Sequence, residues 1–133
     1  MADMRQEYGV NGNRWENIKI FRYADVLLMA AEAGNESGAI SSAEVADLIN
    51  QIRSRAGLPN TTATTRSELR DAIKQERRVE LAMEESRFYD LVRWGDASEV
   101  LGGLGYLPKH ALYPIPQEAI DQSGGVITQN PDY

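Results

Sequence analysis

The sequence predicts an all-α chain: an antiparallel helix pair, one long helix, and a proline-rich irregular C-terminal tail that wraps the core. Three observations carry this. Two capping boxes of the S/T-x-x-E type, Ser41 with Glu44 and Thr65 with Glu68, mark helix starts. From Arg66 to Trp94 apolar residues recur at helical spacing, with neither proline nor glycine among them. After Gly95, the residues Pro108, Pro114, Pro116 and Pro131 forbid long regular elements. At 133 residues the chain suits a single domain with one core. It reads as an irregular lead-in over 1–19, a helical part over 20–95 and an irregular tail over 96–133.

The lead-in carries Gly9, Asn11, Gly12 and Asn13 as breakers. The first helix lies in "FRYADVLLMAAEAGNESG". Its apolar residues cover nearly the whole circumference, the mark of a buried helix, and Gly34 and Gly38 bracket its end. The second helix starts at the Ser41 box, with Ile40 and Val45 placed as a hydrophobic staple. Val45, Leu48, Ile49, Ile52 and Ala56 follow helical spacing until Gly57 and Pro59 stop it. The short connection makes these two an antiparallel hairpin. The third helix runs from Arg66 to Trp94, about 40 Å at 1.5 Å per residue. Pro116 opens a short helical turn in the tail.

Composition removes several function classes. The net charge is −6 and the pI about 4.8, against a nucleic-acid or anionic-membrane partner, since both select Lys and Arg. Without cysteine there is no disulfide, thiolate or cysteine-ligated metal. His110 is the one histidine, so no multi-histidine metal site forms within a chain, and the expectation is no metal and no cofactor. The polar start "MADMRQEYGVNGNRW" has no signal core or lipid-attachment cysteine, and the stretch as given is expected to be soluble.

The segment "ERRVELAMEESRFYDLVRWG" needs closer reading, because a site and a structural helix can both look like this. On a helical wheel Glu76, Glu80 and Glu84 fall within about 80° of one another. Leu69, Ile73, Met83, Leu91 and Trp94 share that side, while Asp71, Lys74, Arg78 and Glu85 lie opposite, on the expected solvent face. Carboxylates on an apolar face need cations and hydrogen bonds. Arg77 and Arg87 are three residues from Glu80 and Glu84, and Arg22, Arg53 or Arg55 of the hairpin can supply more. The expectation is an inward-facing structural network of Glu76, Arg77, Glu80, Glu84 and Arg87 that fixes how the helices dock. Glutamates one turn apart on one helix do not flank a bond as glycosidase carboxylates do, and the E-x-x-H pairs of a bundle metal site are missing. Trp94 reads as structural and His110 as a loop histidine.

Five ordered motifs then carry a resemblance: "IFRYADVLLMAAEA", "LINQIRSRAGLP", "LRDAIKQERRVELAMEESRFYDLVRWG", "HALYPIPQEAI" and "ITQNPDY". Together, from about residue 15 to 133, they resemble the C-terminal part of the SusD/RagB family of Bacteroidetes surface nutrient-binding lipoproteins. Two departures are visible. Glu85-Ser86 stands where the family usually has Gly after its equivalent of Glu84, which favours an uninterrupted helix. Gly34 stands where an apolar residue is usual, which loosens the first helix end at a cost of about 1 kcal/mol.

The resemblance implies tetratricopeptide-like helix pairs, in a stretch shorter than the family's full length. Such a stretch exposes surface that neighbouring repeats cover, so self-association is an expectation. It implies non-catalytic capture of an oligosaccharide or other nutrient at the cell outer membrane, and delivery to a TonB-dependent, SusC-like transporter. In the full-length protein it implies a lipidated surface anchor. The alternative is a helical module that docks on the transporter and holds no ligand site; an enzyme ranks third, since no nucleophile–base pattern is present. For sugar contacts, aromatic faces with Asn and Arg nearby point to Tyr8, Asn13, Arg14 and Trp15 in the lead-in, on chemistry alone.

Overall fold

A computed structural model describes residues 20–133. α1 spans Tyr23–Ser37 and buries Ala24, Leu27, Leu28, Ala31, Gly34 and Asn35, the three-and-four spacing of one helix face. The sequence expects burial all round. The structure instead leaves Tyr23, Val26 and Met29 at the surface, since α1 packs mainly on α2 and α3 among the described residues. Gly38 ends α1 in the left-handed region (φ 70°), donating its N–H to the Gly34 carbonyl at 2.9 Å.

α2 spans Ser42–Arg55. Its capping box is closed in both directions: Ser41 Oγ accepts from the Glu44 N–H at 3.3 Å, and Glu44 Oε2 accepts from the Ser41 N–H at 2.8 Å. Val45, Ile49 and Ile52 are buried. The chain then returns along α2 rather than away from it. Arg53 Nε donates to the Pro59 carbonyl at 2.8 Å, and the Thr61 N–H to Asn50 Oδ1 at 2.8 Å. This return lets α3 (Arg66–Glu80) begin beside the end of α1, where Asn35 Nδ2 donates to the Arg66 carbonyl at 3.0 Å. The second capping box also forms, with Glu68 Oε2 accepting from the N–H groups of Thr64 and Thr65 at 3.0 Å. Ala31, Val45, Ile49, Leu69 and Ile73 make one core cluster from all three helices, with Ile40 and Ala63 packed against it.

The long third helix is not one helix. α3 stops at Glu80, and α4 begins at Arg87 and ends at Trp94. Met83 (φ 67°) and Glu85 (φ 62°) sit in the left-handed region, which costs an L-residue on the order of 1 kcal/mol each. The turn therefore falls where glycine is absent, and Glu85 takes the left-handed conformation that glycine adopts freely. Met83, expected on the apolar side, is 99% exposed as a result.

The break also divides the chain into two compact units, 20–80 and 81–133 among the described residues. In the second unit α4 is closed by Gly95 (φ 80°) and followed by α5 (Ala97–Leu101), 3-10 turns at Gly102–Leu104 and Pro108–Ala111, and α6 (Gln117–Gln122). The tail expected to be irregular thus carries short helices, with α6 directly after Pro116. Its last residues hold the segment before α6. Gln129 bonds both the N–H and the carbonyl of Ile115 at 2.8 and 2.9 Å, Asn130 Nδ2 donates to the Tyr113 carbonyl at 2.6 Å, and the Tyr133 hydroxyl donates to the Leu112 carbonyl at 2.9 Å.

Gly34 has a role that helix propensity does not show. A Cβ built there would lie 2.5 Å from Ile40 Cγ1 and Cδ1, so the bare backbone is what lets Ile40 reach the core. Gly34→Ala should therefore lower stability by about 1 kcal/mol, overpacking outweighing the propensity gain. Urea unfolding of the two chains checks this, and a more stable variant would contradict it.

Candidate functional site

Charged side chains meet where the N-terminal end of α1 and the C-terminal ends of α2 and α3 come together. Glu36 pairs with Arg70, Asp25 with Arg77 and Arg22 with Glu80, so α1 and α3 run antiparallel. Arg53 pairs with Glu76 and Arg55 with Glu80, so α2 and α3 run parallel. Arg53 Nη1 donates to Glu76 Oε2 at 2.9 Å, and Arg77 Nη1 to Asp25 Oδ1 at 2.8 Å. Arg55 Nη2 lies 2.7 Å from both Glu80 carboxylate oxygens, and Arg22 bonds the Glu80 carboxylate and main-chain carbonyl. The Glu76 and Glu80 side chains are each only 9% exposed, and that of Arg77 6%. Among the described residues no buried side-chain nitrogen or oxygen lacks a partner.

The structure brings together Glu76, Arg77 and Glu80 of the expected network, with partners from other helices. Arg77 reaches across to Asp25 of α1. Glu84 lies exposed in the turn after α3, and Arg87 opens α4. Asp25 is not part of the network expected from the sequence, because its partner is defined only when α1 crosses α3; its place in the first turn of α1 is the local signal. Asp90 stands outside that network for a different reason. It is almost fully buried in the second unit, with Oδ1 accepting from Arg93 Nε at 3.0 Å, but an i, i+3 acid–arginine pair looks like an ordinary surface pair in sequence.

The second unit also gathers aromatic rings. Phe88 meets Tyr89 and Tyr106 edge-on, Tyr106 meets His110, and Lys109 Nζ sits 4.8 Å from the Tyr133 ring centroid. The hydroxyls of Tyr89 and Tyr113 are 3.4 Å apart, and this hydrogen bond raises the Tyr113 phenol above its usual value. His110 Nδ1 accepts the Leu107 N–H at 3.1 Å, which closes the 3-10 turn. Trp94 is half-buried, with the Arg93 guanidinium 4.9 Å from its ring. Tyr8, Asn13, Arg14 and Trp15 lie outside the described residues. Among the described residues no three His, Asp or Glu side chains converge as a metal requires, and no helix is long and apolar enough to cross a membrane.

Two expected outcomes follow. Arg77→Gln leaves Asp25 without its buried cation and should cost about 3 kcal/mol, whereas Asp71→Asn on the exposed face of α3 should stay within about 0.5 kcal/mol; equal urea midpoints for both would refute the difference. The second concerns acid. The Arg70 hydrogen bonds, helped by Asn35 and Arg66, hold the Glu36 carboxyl at about 2, and the Thr64 and Thr65 N–H groups hold Glu68 at about 2, against an ordinary 4.5. Depressed folded values mean that this stability is complete above about pH 4.5 and is lost as the pH falls toward 2. Glu36→Gln should lower the urea midpoint at neutral pH and flatten its fall in that acid window.

Comparison with known proteins places the chain. The sequence model of the SusD family matches residues 2–111. SusD-like protein P38 of Formosa agariphila is 40% identical over 109 residues, covering 74% of this chain and 21% of that protein. A solved laminarin binding SusD-like protein superposes with a TM-score of 0.73 at 40% identity, over 89% of this chain and 23% of that one. Surface glycan-binding protein A from Bacteroides thetaiotaomicron gives a TM-score of 0.74 at 31% identity, over 89% of this chain and 25% of that one. The chain thus spans roughly a fifth to a quarter of the length of these relatives. Its match to the family model over most of its length, together with the shared helical architecture, makes it a member of the SusD family.

Proposed function

We propose that this chain is the C-terminal portion of a non-catalytic glycan-binding protein of the bacterial outer-membrane surface, one that delivers its ligand to a TonB-dependent transporter. The observation that carries this is the 40% identity, over 89% of the chain, to a laminarin binding SusD-like protein. The acidic net charge of −6 agrees with a neutral glycan rather than a polyanionic ligand. Fold alone would not suffice, because function lies in sites carried by folds.

One observation favours a second reading, that this stretch docks on the transporter and holds no ligand site. The charged side chains of Glu76, Glu80 and Arg77 are buried among partners within the helical unit. The proposed sugar contacts, Tyr8, Asn13, Arg14 and Trp15, all lie in the lead-in. Calorimetric titration of the chain with laminarin oligosaccharides separates the two readings. Saturable heat that Trp15→Ala abolishes supports glycan binding through the lead-in. Heat that survives Trp15→Ala keeps the glycan and removes that contact, and no heat with any glycan favours docking.

A further inference from the structure

Residues 66–94 contain neither proline nor glycine, yet α3 stops at Glu80. In a continuing helix the carbonyl of Glu80 accepts the N–H of Glu84. Here Arg22 Nη2 takes that carbonyl, and the Glu84 N–H turns to the carbonyl of Leu81 at 3.1 Å. The same guanidinium holds the Glu80 carboxylate through Nη1. Arg55 grips that carboxylate as well, so the last side chain of α3 is fixed by α1 and α2 together.

We propose that Arg22 is a helix-stop clamp: it takes the acceptor that helix continuation requires, and so ends α3 at Glu80. Its chemistry suits the task. The last carbonyls of a helix carry the negative end of the helix dipole, and a planar fork of N–H donors can hold a carbonyl and a carboxylate at once. Its placement suits it too. Arg22 is the residue before α1, in extended backbone (φ −137°, ψ 160°).

The sequence pattern contains the other state. On one uninterrupted helix Met83 joins the stripe of Leu69 and Ile73, and neither Met83 nor Glu85 needs a left-handed backbone. In the clamped state both adopt one, and Met83 stands in solvent. Local preference therefore favours the continuous helix, and a tertiary hydrogen bond decides against it. The Arg22 side chain is 26% exposed, so the clamp is within reach of solvent and of any anionic group that competes for the guanidinium.

The test is NMR of the labelled chain, read at residues 81–86, where a role confined to core stability leaves no signature. In the native chain Met83 and Glu85 should show the HN–Hα couplings and strong intraresidue HN–Hα contacts of a left-handed backbone. In Arg22→Gln, which lacks the charge, and Arg22→Lys, which lacks the fork, those couplings should fall to helical values through residue 86. Glu80→Gln keeps the main-chain carbonyl and should keep the left-handed couplings. Three results overturn the proposal: left-handed couplings that persist in a folded Arg22 variant, loss of the α1–α3 fold in both Arg22 variants, or loss of the break in Glu80→Gln alone.

Discussion

Two glutamates of one helix, Glu76 and Glu80, are held nine-tenths buried, and a carboxylate in that position needs a cation within hydrogen-bond reach. Much of the first unit answers that requirement. Arg53 and Arg55 come from the last turn of α2 and Arg22 from the start of α1, so the acids of α3 are met by both helices of the hairpin. Arg77, on the same helix, points its buried charge the other way, to Asp25 of α1. Apolar contacts alone tolerate a slide of one helix past another, because one leucine fills the place of the next. Hydrogen-bonded ion pairs do not, since a slide leaves charges buried and unpaired. The core of Ala31, Val45, Ile49, Leu69 and Ile73 supplies the driving force for packing, and the ion pairs select its register.

The same arrangement explains why local and tertiary preferences part at residue 80. A helix ends where its carbonyls find better partners than the next turn offers. Usually the partner is water, and a glycine or proline marks the place. At Glu80 the partner is a guanidinium from a residue 58 positions earlier. The two left-handed residues that follow are a local cost set against charge-assisted hydrogen bonds at the helix end. Glu85 shows that a glycine is not needed for the turn; the turn is only less comfortable without one.

The second unit is held by a different kind of bond. Its chain has short helices and, among the described residues, fully buries only the apolar side chains of Leu81, Leu91 and Ala97, and the tail residues Gln129, Asn130 and Tyr133 satisfy the backbone of 112–115 through their side chains. Proline-rich segments need this kind of help, because their backbone cannot form long ladders of its own. These residues therefore have a structural use within their own unit.

The sequence by itself determined the all-helical class, both capping boxes, the hairpin of α1 and α2, the burial of Glu76 and Glu80, the helix after Pro116 and the family. These depend on residues within one or two turns of each other, or on motif order, and both can be read along the chain. Only the tertiary structure decided where α3 ends, that Arg77 pairs with Asp25, that Glu84 and Met83 face solvent, and that Gly34 makes room for Ile40. Each of these is settled by a group brought from another element. The helical wheel treated residues 66–94 as one rod, and a single guanidinium at the start of α1 was enough to make it two.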